Sequence, residues 1–355
     1  MRSDRVAAAL LEDIGRLAAQ VGGARFMEVC GTHTMAIRRS GIPALLPAGI
    51  ELLSGPGCPV CVTPNAVLDR AVALARLPGV CLTTFGDMLR VPGSWESLAE
   101  ARAAGARVEV VYSALDAVRL AEREPELAVV FAGVGFETTA PTVAVALQVA
   151  RGKGLTNFLV LSAHRLVPPA LEALLGRTDF SVDGFLMPGH VSVVLGPEVY
   201  WPVAARGLPC VVTGFEPVDV LLAIRMLLQQ RAEGRAEVEV EYLAAVRPGG
   251  NPRARALMEE VFEPVDAAWR GLGPIPRSGL RLREAYRDLD AEARLPVSGP
   301  PAREQPGCRC GEVLVGAIRP PACALFGRAC TPETPVGPCM VSSEGTCAAY
   351  FKYGD

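Results

Sequence analysis

Lysine is almost missing from this chain: of 35 basic residues only Lys153 and Lys352 are lysines, and the rest are arginines. That bias reads as a GC-rich coding sequence and assigns no function. The net charge is −3, and there is no basic stripe of the kind a nucleic-acid surface needs, so a nucleic-acid partner is excluded. No apolar run reaches the roughly 18–20 residues of a membrane span. The first segment, MRSDRVAAALLEDIGRLAAQ, carries acids and bases among its apolar positions. It predicts an amphipathic helix over 1–20 and not a signal peptide, which points to a cytoplasmic protein. A complete phosphate loop is also missing. Gly133-x-Gly135 follows an apolar run but lacks the third glycine, and Glu137 would repel a pyrophosphate.

What is there is cysteine. The chain has 11 of them in 355 residues, half of which are hydrophobic. That length supports two or three domains. In a reducing compartment such cysteines are metal ligands or catalytic thiols, and not structural disulfides. Six of the 11 fall between Cys308 and Cys347.

Short apolar runs alternate with helical patterns. Strands are predicted at Arg25–Val29, Ile50–Leu53, Gly79–Thr84, Arg107–Tyr112, Leu127–Ala132, Phe158–Ser162, Gly184–Met187 and Cys210–Thr213. Helices are predicted over Pro64–Arg76, Ser94–Ala104, Pro141–Ala150, Pro168–Leu175, Val218–Ala232 and Asn251–Phe262. Such alternation means βαβ units in parallel sheets. The expectation is an α/β protein with two similar Rossmann-like parallel-sheet domains, over 25–123 and 124–217. A third domain, cysteine-rich and bearing an iron–sulfur cluster, is expected over 218–355, with the helix of 1–24 packed on it.

The densest chemistry lies between Met27 and Pro64. Cys30 follows a predicted strand and is followed at once by Gly31, Thr32 and His33. In open α/β sheets ligands bind at the carboxyl ends of strands, where this thiol falls; the alternative is a small buried core residue. Cys58 and Cys61 form a Cys-x-x-Cys, which either chelates a metal or cycles between dithiol and disulfide. With Thr63 as N-cap and Pro64 as first helical residue, the pair would precede a helix N-terminus that favours thiolate. A closed zinc site wants four ligands, so three thiols and an open position suit a working metal better. Glu137, Thr138 and Thr139 are placed to bond ligands on such a metal. His33, His164 and His190 each follow a predicted strand, and their common side suggests that at least one serves the crevice. Asp87 also follows a strand, as a helix cap or a crevice residue. In the tail, Cys308, Cys310, Cys323, Cys330, Cys339 and Cys347 lack paired Cys-x-x-Cys knuckles, which favours an iron–sulfur cluster over zinc.

The motifs CGTHT (30–34), GPGCPVCVTP (55–64), TFGDMLRVPG (84–93), GFETTAP (135–141), MPGHVS (187–192), CRCGEVL (308–314) and MVSSEGTCAAY (340–350) are together similar to the HypD family of nickel–iron hydrogenase maturation proteins. The resemblance spans nearly the whole chain. It implies two α/β domains and a third holding a 4Fe–4S cluster. It also implies a complex with a HypC-type small chaperone, on whose iron two cyanides and one carbon monoxide are assembled. Cyanide would come from a HypE-type protein, and the finished group would pass to the hydrogenase large-subunit precursor. Carried over, Cys30 is the iron ligand, Cys58 and Cys61 the redox dithiol, and His33 and Glu137 line the same crevice. Four of Cys308, Cys310, Cys323, Cys330 and Cys347 would hold the cluster, and Cys339 matches less closely. Whether such a scaffold is an enzyme stays open. The rival reading is an iron–sulfur thiol–disulfide oxidoreductase similar to ferredoxin–thioredoxin reductase.

Overall fold

A computed structural model describes residues 2–354; Met1, the start of the helix expected over 1–20, lies outside them. Among the described residues eleven strands follow one another: β1 (Ala24–Glu28), β2 (Ile50–Ser54), β3 (Val80–Thr84), β4 (Val108–Val110), β5 (Ala128–Gly133), β6 (Phe158–Ser162), β7 (Gly184–Pro188), β8 (Cys210–Thr213), β9 (Val238–Val240), β10 (Phe262–Trp269) and β11 (Gly273–Leu282). They form two parallel sheets, ordered β2-β1-β7-β8-β9 and β4-β3-β5-β6, and one antiparallel hairpin of β10 and β11. Strands such as β3 (VCLTT) and β8 (CVVT) are buried along their whole length. That is the signature of a parallel strand covered by helices on both faces.

The α/β class holds, but the expected division of the chain does not. The first sheet takes β1 and β2, loses the chain to the whole of the second sheet, and regains it at β7. The second sheet is therefore an insertion within the first, and a boundary near residue 124 cuts through it. Each βαβ unit dictates parallel pairing locally but leaves open which sheet the next strand joins. The boundary at 218 fails for the same reason. Helix Pro217–Ala232 packs on the first sheet, where Val220, Ile224 and Leu227 share a core with Phe26 and Leu186, and β9 then extends that sheet. The N-terminal helix Arg2–Val21 adds Ile14 and Leu17 to this same core.

The hairpin covers the second sheet, with Phe262, Leu280 and Leu282 buried beside Phe131 and Val160. The tail carries the short helices Cys310–Leu314, Pro338–Val341 and Thr346–Tyr353. The first two pack on helix Pro59–Val62, and the third packs on helix Gly31–Arg39, where the Arg38 guanidinium lies 3.6 Å from the centre of the Tyr350 ring. Among the described residues no helix is long and apolar enough to cross a membrane.

Candidate functional site

The carboxyl ends of both sheets open onto one crevice of about 560 Å³. Cys30 and Thr32 enter it from β1, Asp87 from β3, Tyr112 from β4, His190 from β7, and Glu344 from the tail. This is where an open α/β sheet presents a ligand site, and here two sheets present theirs to each other.

Cys30 is extended (φ −149°, ψ 122°) and caps helix Gly31–Arg39. Burial, then the nearby Glu344 and Glu28 carboxyls, push its thiol up to about 12. Glu28 lies behind it, fully buried, and accepts from the Cys30 N–H at 3.0 Å and from the Thr34 hydroxyl. Burial raises Glu28 to about 8 against those hydrogen bonds. The loop bearing Cys30 is zipped to the next one: Gly31 N–H donates to the Gly57 carbonyl and Gly55 N–H to the Glu28 carbonyl, both at 2.8 Å. A Cβ on Gly57 would be driven into the backbone of Val29 and Cys30, so only glycine permits this approach.

Cys58 and Cys61 are joined as a disulfide. Both are buried, at 3% and 0% exposure, behind the crevice wall and not on it. The helix they mark is Pro59–Val62 itself, with Cys58 as its N-cap accepting from Cys61 N–H. Thr63 is not the N-cap of the following helix, Asn65–Ala75. Its hydroxyl turns back to the Pro59 carbonyl at 2.8 Å and closes the preceding turn. The Ser342 hydroxyl lies 3.4 Å from Cys58 Sγ. Asp87 is not a helix cap either: its carboxylate accepts from Ser342 Oγ at 3.2 Å and from Ser343 N and Oγ at 2.8 Å.

The histidines separate. His33 is wholly buried; its Nε2–H donates to the Gly214 and Thr213 carbonyls at 2.9 and 3.2 Å, and its ring stacks on Phe215. Burial lowers it to about 4. It braces the crevice from behind and does not line it. His190 stacks on the other face of Phe215, at 3.9 Å, and does line the crevice. His164 is buried under the hairpin strand, near Ser162, and burial lowers it to about 3. Glu137 also departs from expectation. Its neighbours Thr138 and Thr139 line the crevice, but its own carboxyl turns inward to accept from Val167 N–H at 2.9 Å. Burial raises it to about 7. Gly133 and Gly135 are explained by packing against His164 and Thr139, which a Cβ would strike.

In the tail, Cys308, Cys310, Cys323, Cys330, Cys339 and Cys347 line one small space. Cys310 Sγ and Cys339 Sγ stand 2.7 Å apart. Sharing of protons within this group pulls the Cys310 thiol down, through Cys308 and then Cys339, while it pushes Cys308 and Cys339 up. Among the described residues no three donors are already set in metal-binding geometry. The donor set nevertheless fits an iron–sulfur cluster in kind: it is all sulfur, partly acidified, and these cysteines carry no disulfide. The sulfurs would have to part to admit one. Cys81 and Cys210 are buried in β3 and β8, away from both sites.

Sequence reasoning passed over Glu28, Ser342 and Glu344. For Ser342 and Glu344 the signal was the polar run Ser342-Ser343-Glu344 between two cysteines of the tail; Glu28 stands two residues before Cys30.

A family model described as "Hydrogenase formation hypA family", HypD, matches residues 5–354. The chain is 49% identical over 338 residues to the hydrogenase maturation factor HypD of Azotobacter vinelandii, covering 93% of this chain and 89% of that protein. It is 48% identical over 364 residues to the factor of the same name from Rhodobacter capsulatus, covering 99% and 97%. To that of Escherichia coli (strain K12) it is 46% identical over 331 residues, covering 93% and 89%.

Proposed function

We propose, from the premise that this chain belongs to the HypD family and serves hydrogenase maturation, that it is the scaffold on which the Fe(CN)2CO group of nickel–iron hydrogenases is assembled. The iron is its substrate. Cys30 holds it at the crevice, together with a thiolate of a HypC-type chaperone, and soft thiolate ligation suits an iron that binds cyanide and carbon monoxide. A HypE-type protein brings cyanide as a thiocyanate. Breaking that S–C bond takes two electrons, which the Cys58–Cys61 dithiol supplies by closing to the disulfide. The products are the donor's thiol, cyanide on the iron, and one released proton. Thr138, Thr139 and His190 face the space where cyanide nitrogens would point. The iron and its ligands then pass, with the chaperone, to the hydrogenase large-subunit precursor.

The tail cysteines Cys308, Cys310, Cys323, Cys330 and Cys347 would supply four ligands to a 4Fe–4S cluster, whose chemistry when bound is one-electron transfer. The observation that carries this reading is the layering of the thiols. Cys30 lines the crevice, the Cys58–Cys61 pair lies behind it, and the helices bearing Cys310 and Cys339 pack on the helix of that pair.

The test is infrared absorption in the cyanide and carbon monoxide stretching region, on protein purified without oxygen together with its small chaperone, with iron and acid-labile sulfide assayed on the same sample. Bands with iron in excess of the cluster are expected. Cluster iron without bands, from cells able to make the ligands, would return the assignment to a thiol–disulfide reductase.

A further inference from the structure

The buried pair Cys58–Cys61 has one polar side chain against its sulfur, and that side chain leads to solvent. Ser342 Oγ lies 3.4 Å from Cys58 Sγ and 3.2 Å from Asp87 Oδ2. Ser342 itself is 1% exposed, so water does not bring protons to Cys58 from that side. Asp87 is partly exposed and lines the crevice. The three groups come from three places in the chain, separated by 284 and 255 residues.

The arrangement is held rigidly. Ser342 Oγ accepts from Glu344 N–H at 3.2 Å, which leaves its own proton for Asp87 or for Cys58. Ser343 fixes the same Asp87 oxygen with its N–H and its hydroxyl. A loop that served only to pack would not need three donors on one carboxylate oxygen beside a sulfur.

We propose that Ser342 is a catalytic hydroxyl of the Cys58–Cys61 pair and that Asp87 is its positioning base: together they carry the Cys58 proton to the crevice when the dithiol gives up its electrons. The inference rests on the dithiol reading above. With a disulfide R–S–S–R as acceptor, the Cys58 proton passes to Ser342 as the Ser342 proton passes to Asp87. Cys58 sulfur then bonds to one acceptor sulfur, the acceptor S–S bond breaks, and the leaving thiolate takes a proton from water. Cys61 sulfur next displaces the second thiolate from Cys58 and gives it the Cys61 proton. One disulfide is formed and one is reduced, two electrons have moved, and Asp87 returns its proton to the crevice water. The charged and titratable groups around the path are Glu344 on the same loop, Cys30 beyond Gly57, Cys61 as the partner sulfur, Arg90 at the end of the Asp87 helix, and Cys310 and Cys339 on the helices packed against Pro59–Val62.

The test is the closing rate of the reduced pair in the full chain, with oxidised dithiothreitol as the probe. The Cys58–Cys61 disulfide is read by alkylation and peptide mass mapping from pH 6 to 10. Compared are the parent chain, Ser342→Ala, Asp87→Asn and the conservative Ser342→Thr. A general base is typically worth at least about 100-fold. At pH 7, Ser342→Ala and Asp87→Asn should therefore slow closure by about that factor, while Ser342→Thr stays within a few-fold of the parent. The deficit should shrink as pH rises and hydroxide takes over the proton, a trend that loss of packing does not produce. Equal slowing at every pH, or no slowing in either variant, overturns the proposal. Closure of the pair in all variants at one rate leaves the dithiol reading standing and removes only the relay. A parent chain whose pair never closes overturns both.

Discussion

The Thr32 hydroxyl donates to the Glu344 carboxylate at 2.6 Å, across 312 residues of sequence. This bond fastens the tail loop over the N-terminus of helix Gly31–Arg39, where the Glu344 side chain leaves no room for a Cβ on Gly31. It also holds a negative charge beside Cys30. Burial and that charge push the Cys30 thiol up to about 12, so in iron-free protein at pH 8 it is a thiol. Glu344→Gln removes the charge and keeps the shape. Cys30 labelling by iodoacetamide at pH 8 should then speed up by roughly 3- to 10-fold, since loss of a nearby like charge favours the ionised form. Unchanged or slower labelling, followed residue by residue, would show that Glu344 does not govern this thiol.

Gly57 and Gly15 should respond to alanine in opposite directions. A Cβ at Gly57 meets the backbone of Val29 and Cys30, which cannot give way. Gly57→Ala should cost 2–3 kcal/mol or more, on the order of the overpacking penalty, and should shift the Cys30 loop. Gly15 lies within helix Arg2–Val21 with nothing near its Cβ position. Gly15→Ala should stabilise by about 0.5–1 kcal/mol through the unfolded chain. Chemical denaturation of both variants checks the pair.

Where the sequence was legible, the signal was local. A run such as FLVLS is buried along its length except at its last residue, and its neighbours alternate with helices, so the parallel α/β class follows from apolar runs alone. Sheet membership is not local: β3 and β8 have the same pattern and lie in different sheets. The hairpin was hidden by Pro264, Pro274 and Pro276, which read as loop. A two-stranded ribbon tolerates them because they fall outside Ser278–Leu280, the stretch where the outer edge of β11 bonds to His164 and Leu166. Cys30, Cys58 and Cys61 stood out because their glycines and prolines surround them in sequence. Asp87 with Ser342, and Thr32 with Glu344, carry no such mark, since each pair meets only once the tail folds back over the crevice. His33 and Glu137 misled for the converse reason: both follow strands at the mouth, but their side chains turn inward.

Glu137 should make the fold less stable as pH rises. Its carboxyl is fully buried, Oε1 accepts from Val167 N–H, and Oε2 has no partner among the described groups. Burial raises it from 4.5 to about 7. A carboxyl raised in the folded state favours folding fully below its unfolded value, and that contribution is lost as pH rises through the folded one. Glu137→Gln keeps the bond to Val167 and abolishes the charge. The variant should match the parent near pH 4.5 and exceed it by up to about 3 kcal/mol above pH 8. Denaturant midpoints between pH 4.5 and 8.5 test this; a difference that does not grow with pH would refute it.

The cysteines outside the two thiol sites provide the control for the tail. Cys81 and Cys210 sit inside β3 and β8, where each is a small core side chain with its thiol pushed up by burial, to about 11 for Cys81. Replacing either by alanine removes one sulfur from a packed strand, at a cost of about 1 kcal/mol, and should leave iron and acid-labile sulfide at the parent's level. Cys310→Ser acts on the most acidified thiol of the tail group, which touches both Cys308 and Cys339, and should lose most of the iron and sulfide in anaerobically prepared protein. Serine preserves the volume, so a normal denaturation midpoint in the apo form separates loss of a ligand from loss of the fold. Full iron and sulfide in Cys310→Ser, with a deficit in Cys81→Ala, would place the metal in the sheet and not in the tail.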